Sequence, residues 1–132
     1  MKLSRERPVL RIVEDQIGSP TWARMLAEAT AMVLAKGGEG IVEWLRDRSG
    51  VYHLAGEGSA SRFEWAKVVL DLDLQKEEQI VEKVLPASST EFRTEARRPA
   101  NSSLCCDRFE GAFGLRLPKW EEALRMAMEG GL

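Results

Sequence analysis

The chain has 132 residues, 44% of them hydrophobic and 30% charged, so its length predicts a single domain over 1–132 that can remove enough surface from water to hold a core. Its 19 Lys and Arg against 21 Asp and Glu give a formal charge of −2, without the basic excess that drives binding to nucleic-acid phosphates. No run nears the roughly 18 apolar residues of a membrane span and the opening MKLSRERPVL lacks the apolar stretch of a signal peptide, so the expectation is a cytoplasmic protein.

Residues 9–15, VLRIVED, carry the β-branched apolar run of a strand. The connection that follows, DQIGSPTWA at 15–23, is crowded with hydrogen-bonding groups. Ser19 suits an N-cap and Pro20 a first helical position. Trp22, Met25, Leu26, Ala29, Met32 and Val33 then recur at helical spacing until Gly37 and Gly38 supply a stop. Ile41, Trp44 and Leu45 fit one side of a short helix, and residues 50–56, GVYHLAG, read as a buried strand. Ser61 and Glu64 have capping-box spacing ahead of a helix with Phe63, Ala66, Val69 and Leu70 on one face. Residues 80–85, IVEKVL, read as a strand closed by Pro86. The polar, aperiodic stretch 86–103 is long for an idle loop, which points to function. Two helices finish the chain, one stopped by Gly114 and one opened by Pro118. This order predicts an α/β fold with a small, mostly parallel sheet flanked by helices.

Few residues offer catalytic chemistry. Cys105 and Cys106 are adjacent and cannot staple distant segments, and a single histidine, His53, is too little for a metal site. His53 within an apolar strand reads as a hydrogen-bonded core or rim residue rather than a general base. Glu14 and Asp15 are strand neighbours that point to opposite faces, so they do not form an acid–base pair. GEGSAS at 56–61 imitates a dinucleotide-binding turn but matches only two of its three glycines, and Ser61 is better explained as an N-cap. In ARRPANSS, Arg97 and Arg98 offer guanidinium forks whose geometry matches two oxygens of a diphosphate, and Asn101 and Ser102 add neutral hydrogen-bonding groups, but a surface arginine pair alone is more often solvated than ligand-binding.

RIVEDQIGSPTWARMLAEAT, GVYHLAG, ARRPANSSL and FGLRLPKWEEALR stand in an order and spacing that resembles the C-terminal part of the dTDP-4-dehydrorhamnose reductases, within the extended short-chain dehydrogenase/reductase superfamily. The resemblance covers almost the whole chain. It implies a substrate-binding part that lacks the main Rossmann half, and it places Gln16, Ser19 and Thr21 beside a sugar-nucleotide cleft. Arg98 and Asn101 resemble the arginine and acid of the RPGD segment of related nucleotide-sugar epimerases, where the arginine meets the diphosphate; here asparagine replaces the acid. Cys105 stands where the family usually has an aspartate, a change that touches a helix cap.

The family's complete enzyme reduces dTDP-4-dehydro-6-deoxy-L-mannose to dTDP-L-rhamnose with NAD(P)H, using a glycine-rich fingerprint and a Tyr-x-x-x-Lys pair. This chain has one tyrosine, Tyr52, and Gly56 four residues on. The expectation is therefore a truncated, dTDP-sugar-binding domain that is not a reductase alone and holds no cofactor or metal itself. The alternative is an interaction or dimerisation module derived from such an enzyme. A homodimer on the faces bearing VYHLAG and the Trp22 helix, or a separate cofactor-binding half, would be its partner.

Overall fold

A computed structural model describes residues 1–92, 94–96 and 98–130. Two small sheets organise the chain. Strand β1 (Val9–Val13) pairs in parallel with β4 (Lys83–Ala87), Val9 opposite Lys83 and Val13 opposite Ala87. Strands β2 (Ile17–Gly18) and β3 (Ala60–Ser61) form a short antiparallel pair. Around them, among the described residues, lie five α-helices: α1 (Ala23–Gly37), α2 (Ile41–Asp47), α3 (Arg62–Asp71), α4 (Asp107–Phe113) and α5 (Trp120–Glu129). The α/β class and the small parallel sheet agree with the sequence reading. So do the helix stops: Gly38 and Gly114 hold left-handed φ values of 51° and 61°, which an L side chain resists.

The core is aromatic and sits among the helices. Val33 of α1 meets Phe109 and Phe113 of α4, with Trp44 and Leu45 of α2 packed against them. Phe109 and Phe113 meet at a tilt of 48° with 4.9 Å between centroids, and Tyr52 meets Phe113 edge-on at 5.0 Å. The Tyr52 hydroxyl donates to the Arg48 carbonyl at 2.7 Å, so its polar tip is satisfied while its ring is in the core.

Four local expectations need correction, the simplest being that the last helix opens at Trp120 with Lys119 as N-cap rather than at Pro118. GVYHLAG is extended but is not a strand: among the described residues, 51–54 make no backbone hydrogen bond. Its alternation is real, with Tyr52 and Leu54 turned to the aromatic cluster and Val51 and His53 exposed, but no neighbouring strand completes the ladder. His53 is therefore an exposed residue. The helix after DQIGSPT starts at Ala23 with Trp22 as N-cap, not at Pro20. Ser19 Oγ is engaged elsewhere, accepting from the Leu104 N–H at 3.2 Å, and so does not cap the helix.

The last correction concerns the strand expected at 80–85. Ile80 and Glu82 donate their N–H groups to the Ser4 and Pro8 carbonyls, which delays the ladder to Lys83. Pro86 lies inside β4, where it is tolerated because a strand with one neighbour has an edge that needs no donor. Ser61 caps α3 as predicted: its Oγ accepts from the Glu64 N–H at 3.1 Å, and the Glu64 carboxylate accepts from the Ser61 N–H at 2.8 Å.

Candidate functional site

The residues between β1 and α1 are held by partners far away in sequence. Asp15 accepts from the Ser89 N–H at 2.9 Å and from the hydroxyls of Ser89 and Ser88 at 3.0 and 3.1 Å. The Ser89 N–H, helped by those hydroxyls, holds the Asp15 carboxyl below the usual carboxylate range. One residue pair on, Ile17 donates to the Ala100 carbonyl at 2.8 Å and accepts from the Ser102 N–H at 2.9 Å. The Arg62 N–H reaches the Gln16 carbonyl at 3.3 Å. These bonds bring three segments together: 15–21, the start of α3, and 98–104.

Between them is an open cleft of about 900 Å³, within the range of small-molecule sites. Gln16, Ser19, Thr21 and Arg98 all line it. Much of the remaining wall is apolar, including Ile12, Leu26, Leu54 and Leu104. Arg62 and Trp65, on the first turn and a half of α3, also face the cleft, and neither stood out in the sequence. Helical period says that Arg62, Trp65 and Ala66 share a face, but only the fold says what that face meets. Arg97 lies outside the described residues.

The polar groups around the cleft divide into two kinds. Ser19 Oγ already accepts from Leu104 N–H. Thr21 Oγ1 donates to the Ser19 carbonyl at 2.9 Å and accepts from the Gly56 N–H at 3.0 Å. Asn101 is not among the lining residues; its side-chain oxygen takes the Ser103 N–H and hydroxyl at 2.9 and 2.6 Å. The hydroxyls of Ser19 and Thr21 therefore hold the loop in shape. By contrast, among the described residues the Gln16 amide and the guanidinium groups of Arg62 and Arg98 have no hydrogen-bond or ion-pair partner in the protein. Two cations and an amide are thus available at one cleft. That set suits an anion with several acceptor oxygens better than it suits acid–base chemistry.

A smaller pocket of about 220 Å³ lies against the other side of residues 54–58. Its cation is spent: Arg116 pairs with both Glu110, at 2.7 Å, and Glu57, at 3.5 Å. Cys105 and Cys106 on its rim are free thiols, and among the described residues no cluster of metal-ligating side chains occurs. The GEGSAS turn does not fit a dinucleotide cofactor. Gly56 and Gly58 lead into α3, but there the Glu64 N–H is taken by Ser61 Oγ and the Arg62 N–H by the Gln16 carbonyl, and the Glu64 carboxylate on the Ser61 N–H adds a negative charge where a pyrophosphate would sit. Tyr52, with its hydroxyl on the Arg48 carbonyl and its ring in the core, is not placed as an acid for this cleft.

Among the described residues, no helix is long and apolar enough to cross a membrane. A family model described as the RmlD substrate binding domain matches residues 1–131. The dTDP-4-dehydrorhamnose reductase of Sinorhizobium fredii is 40% identical over 126 residues, covering 95% of this chain and 41% of that protein. A crystal structure of the Bacillus anthracis dTDP-4-dehydrorhamnose reductase in complex with NADP superposes with a TM-score of 0.78 at 30% identity, over 98% of this chain and 41% of that one. The Clostridium acetobutylicum orthologue gives 0.79 at 26% identity, over 97% and 40%. The chain spans about 41% of the length of the Sinorhizobium fredii relative.

Proposed function

Because the chain belongs to the RmlD substrate binding domain family, we propose that its cleft binds the nucleotide diphosphate of a dTDP-linked deoxysugar, and that the chain by itself neither holds NAD(P)H nor reduces the sugar. One observation carries this reading: Arg98, Arg62 and Gln16 line one cleft and, among the described residues, their guanidinium and amide groups have no partner in the protein. A diphosphate supplies the acceptors they lack. Ser19, Thr21 and Asn101 take part chiefly by fixing the 15–21 and 98–104 segments, with Asn101 the furthest from contact. The α3 N-terminus closed by Ser61 and Glu64 argues against a second, cofactor site in this chain.

A ligand that binds only the native state raises the melting temperature, by an amount equivalent to about 2.7 kcal/mol at one hundred times Kd. A thermal-shift series should therefore show stabilisation by dTDP and dTDP-rhamnose and none by NADPH. Stabilisation by NADPH alone would reverse the assignment.

A second reading has its own support. Residues 51–54 carry a row of backbone groups without hydrogen bonds among the described residues, and Val51 is 78% exposed. Met32 on α1 is 53% exposed and Val42 on α2 is 60% exposed. Unpaired extended backbone and exposed apolar side chains each favour association. We infer that these exposed groups dock another polypeptide, either a second copy as a homodimer or a cofactor-binding half. The homodimer predicts a mass that rises with concentration in sedimentation equilibrium at micromolar protein. A constant monomer mass would exclude it.

A further inference from the structure

Trp65 is the most exposed of the four tryptophans, with 41% of its surface open, while Trp22 and Trp44 are half-buried and Trp120 is buried. The rings of Trp22 and Trp44 each carry an arginine over one face, Arg24 at 5.5 Å and Arg48 at 4.5 Å from the centroid. Among the described residues, no aromatic ring or cation covers Trp65. An aromatic ring left open in this way is a surface on which another π system can stack. It is also not on the outer surface: Trp65 lines the same cleft as Arg98, Gln16 and Arg62.

The spacing is what gives the ring a meaning. Arg62 and Trp65 lie three residues apart in α3, so they are neighbours on one helical face. Arg98 reaches the cleft from a separate segment that is tied to β2 through Ala100 and Ser102. The cleft thus holds a flat π surface, with Arg62 one helical turn from it and Arg98 on another segment of the same lining. A molecule that satisfies both has a planar ring joined to a polyanion, which is the chemistry of a nucleoside diphosphate. A hexose could lie against the ring through its C–H face, but the requirement for adjacent charge favours the nucleotide end.

We propose that Trp65 is the stacking platform for the nucleobase of the bound nucleotide, with Arg62 beside it as a second contact to the diphosphate. This assignment rests on the reading of the cleft as a dTDP-sugar site, and it adds which residue recognises the base. Stacking is tolerant of base identity, because every base has a π face. Trp65 therefore supplies affinity for a nucleotide as such, and discrimination among bases falls to groups that reach the base edge.

The test uses dTDP, which has no hexose, with calorimetry and tryptophan fluorescence on the full chain. Trp65→Ala should weaken dTDP binding roughly tenfold, the scale of one aromatic–base stack. Trp65→Phe keeps a ring and should stay within about threefold of the native affinity. Native protein should show saturable quenching of tryptophan emission by dTDP, and Trp65→Phe should bind without it. Native affinity in Trp65→Ala, or quenching that survives Trp65→Phe, would remove the platform while leaving the cleft reading intact. A native chain that does not bind dTDP at all would overturn the cleft reading and this assignment together. A loss seen with dTDP-rhamnose but not with dTDP would place the sugar, not the base, on the ring and so refute the proposal.

Discussion

Replacing Arg98 by lysine is expected to weaken dTDP binding by about 1.5–3 kcal/mol, roughly 10- to 150-fold in Kd. The substitution keeps the charge, so long-range attraction to the diphosphate is unchanged. What it removes is the planar fork, whose parallel donors fit two phosphate oxygens at once. The position is suited to that role. Arg98 lines the cleft, and Pro99 restricts the backbone that follows it. Two residues on, Ala100 accepts from Ile17 and Ser102 donates to Ile17, so the segment is anchored to β2. Arg98 is exposed and among the described residues has no ion pair, which means the variant should fold as the native chain does. Calorimetric titration of both proteins with dTDP decides the matter. Equal affinities would eliminate a bidentate role for Arg98.

Gly56→Ala should destabilise the native state by about 2–3 kcal/mol, as over-packing into a region that cannot relax does. A Cβ at Gly56 would lie 2.6 Å from the Pro20 carbonyl oxygen and 3.6 Å from both Cα and Cβ of Trp120. Two of those atoms are backbone, so no side-chain rotation relieves the clash. The surroundings are tightly bound as well. The Gly56 N–H donates to Thr21 Oγ1, Glu57 donates to the Pro118 carbonyl, and Trp120 donates to the Glu57 carbonyl, all at 3.0 Å. Any shift must break one of these. Pro20 and Thr21 also line the cleft, so the variant should lose dTDP affinity along with stability. Urea denaturation monitored by circular dichroism measures the first effect. A midpoint unchanged within error would show that the connection yields more easily than this packing implies.

Gly56 also shows where sequence reading succeeds and where it stops. Its place before a helix imitates a phosphate-binding turn, but the fold uses it for close approach of two backbones, a fact held in Pro20 and Trp120 rather than in its neighbours. Local signals were legible. The Ser61–Glu64 capping box and the left-handed Gly114 depend on residues within one turn, and both are present. Ser19 misleads for the opposite reason: its short hydroxyl looks like a helix cap, but its partner is Leu104, 85 residues away. Within GVYHLAG the alternating Val51, Tyr52, His53 and Leu54 have strand character, but a strand also needs a neighbour, which composition does not specify.

For the cleft, Gln16, Ser19, Thr21, Arg98 and Asn101 come from motifs that resemble a known family, and the fold brings the first four to one cleft. It also separates their tasks, because hydrogen bonds internal to the protein already occupy Ser19, Thr21 and Asn101. Arg62 and Trp65 were not legible. A helix repeats every 3.6 residues whichever way it faces, and the side of α3 that meets the cleft is set by its packing on β1 and β3.

The central claim is that this chain, without any further polypeptide, recognises the nucleotide diphosphate of a dTDP-sugar. Isothermal titration of the 132-residue protein with dTDP tests it most directly. The account predicts a saturable isotherm with one site per chain, weakened by Arg98→Lys. Heats that never saturate, or that are the same for the native protein and Arg98→Lys, would contradict it.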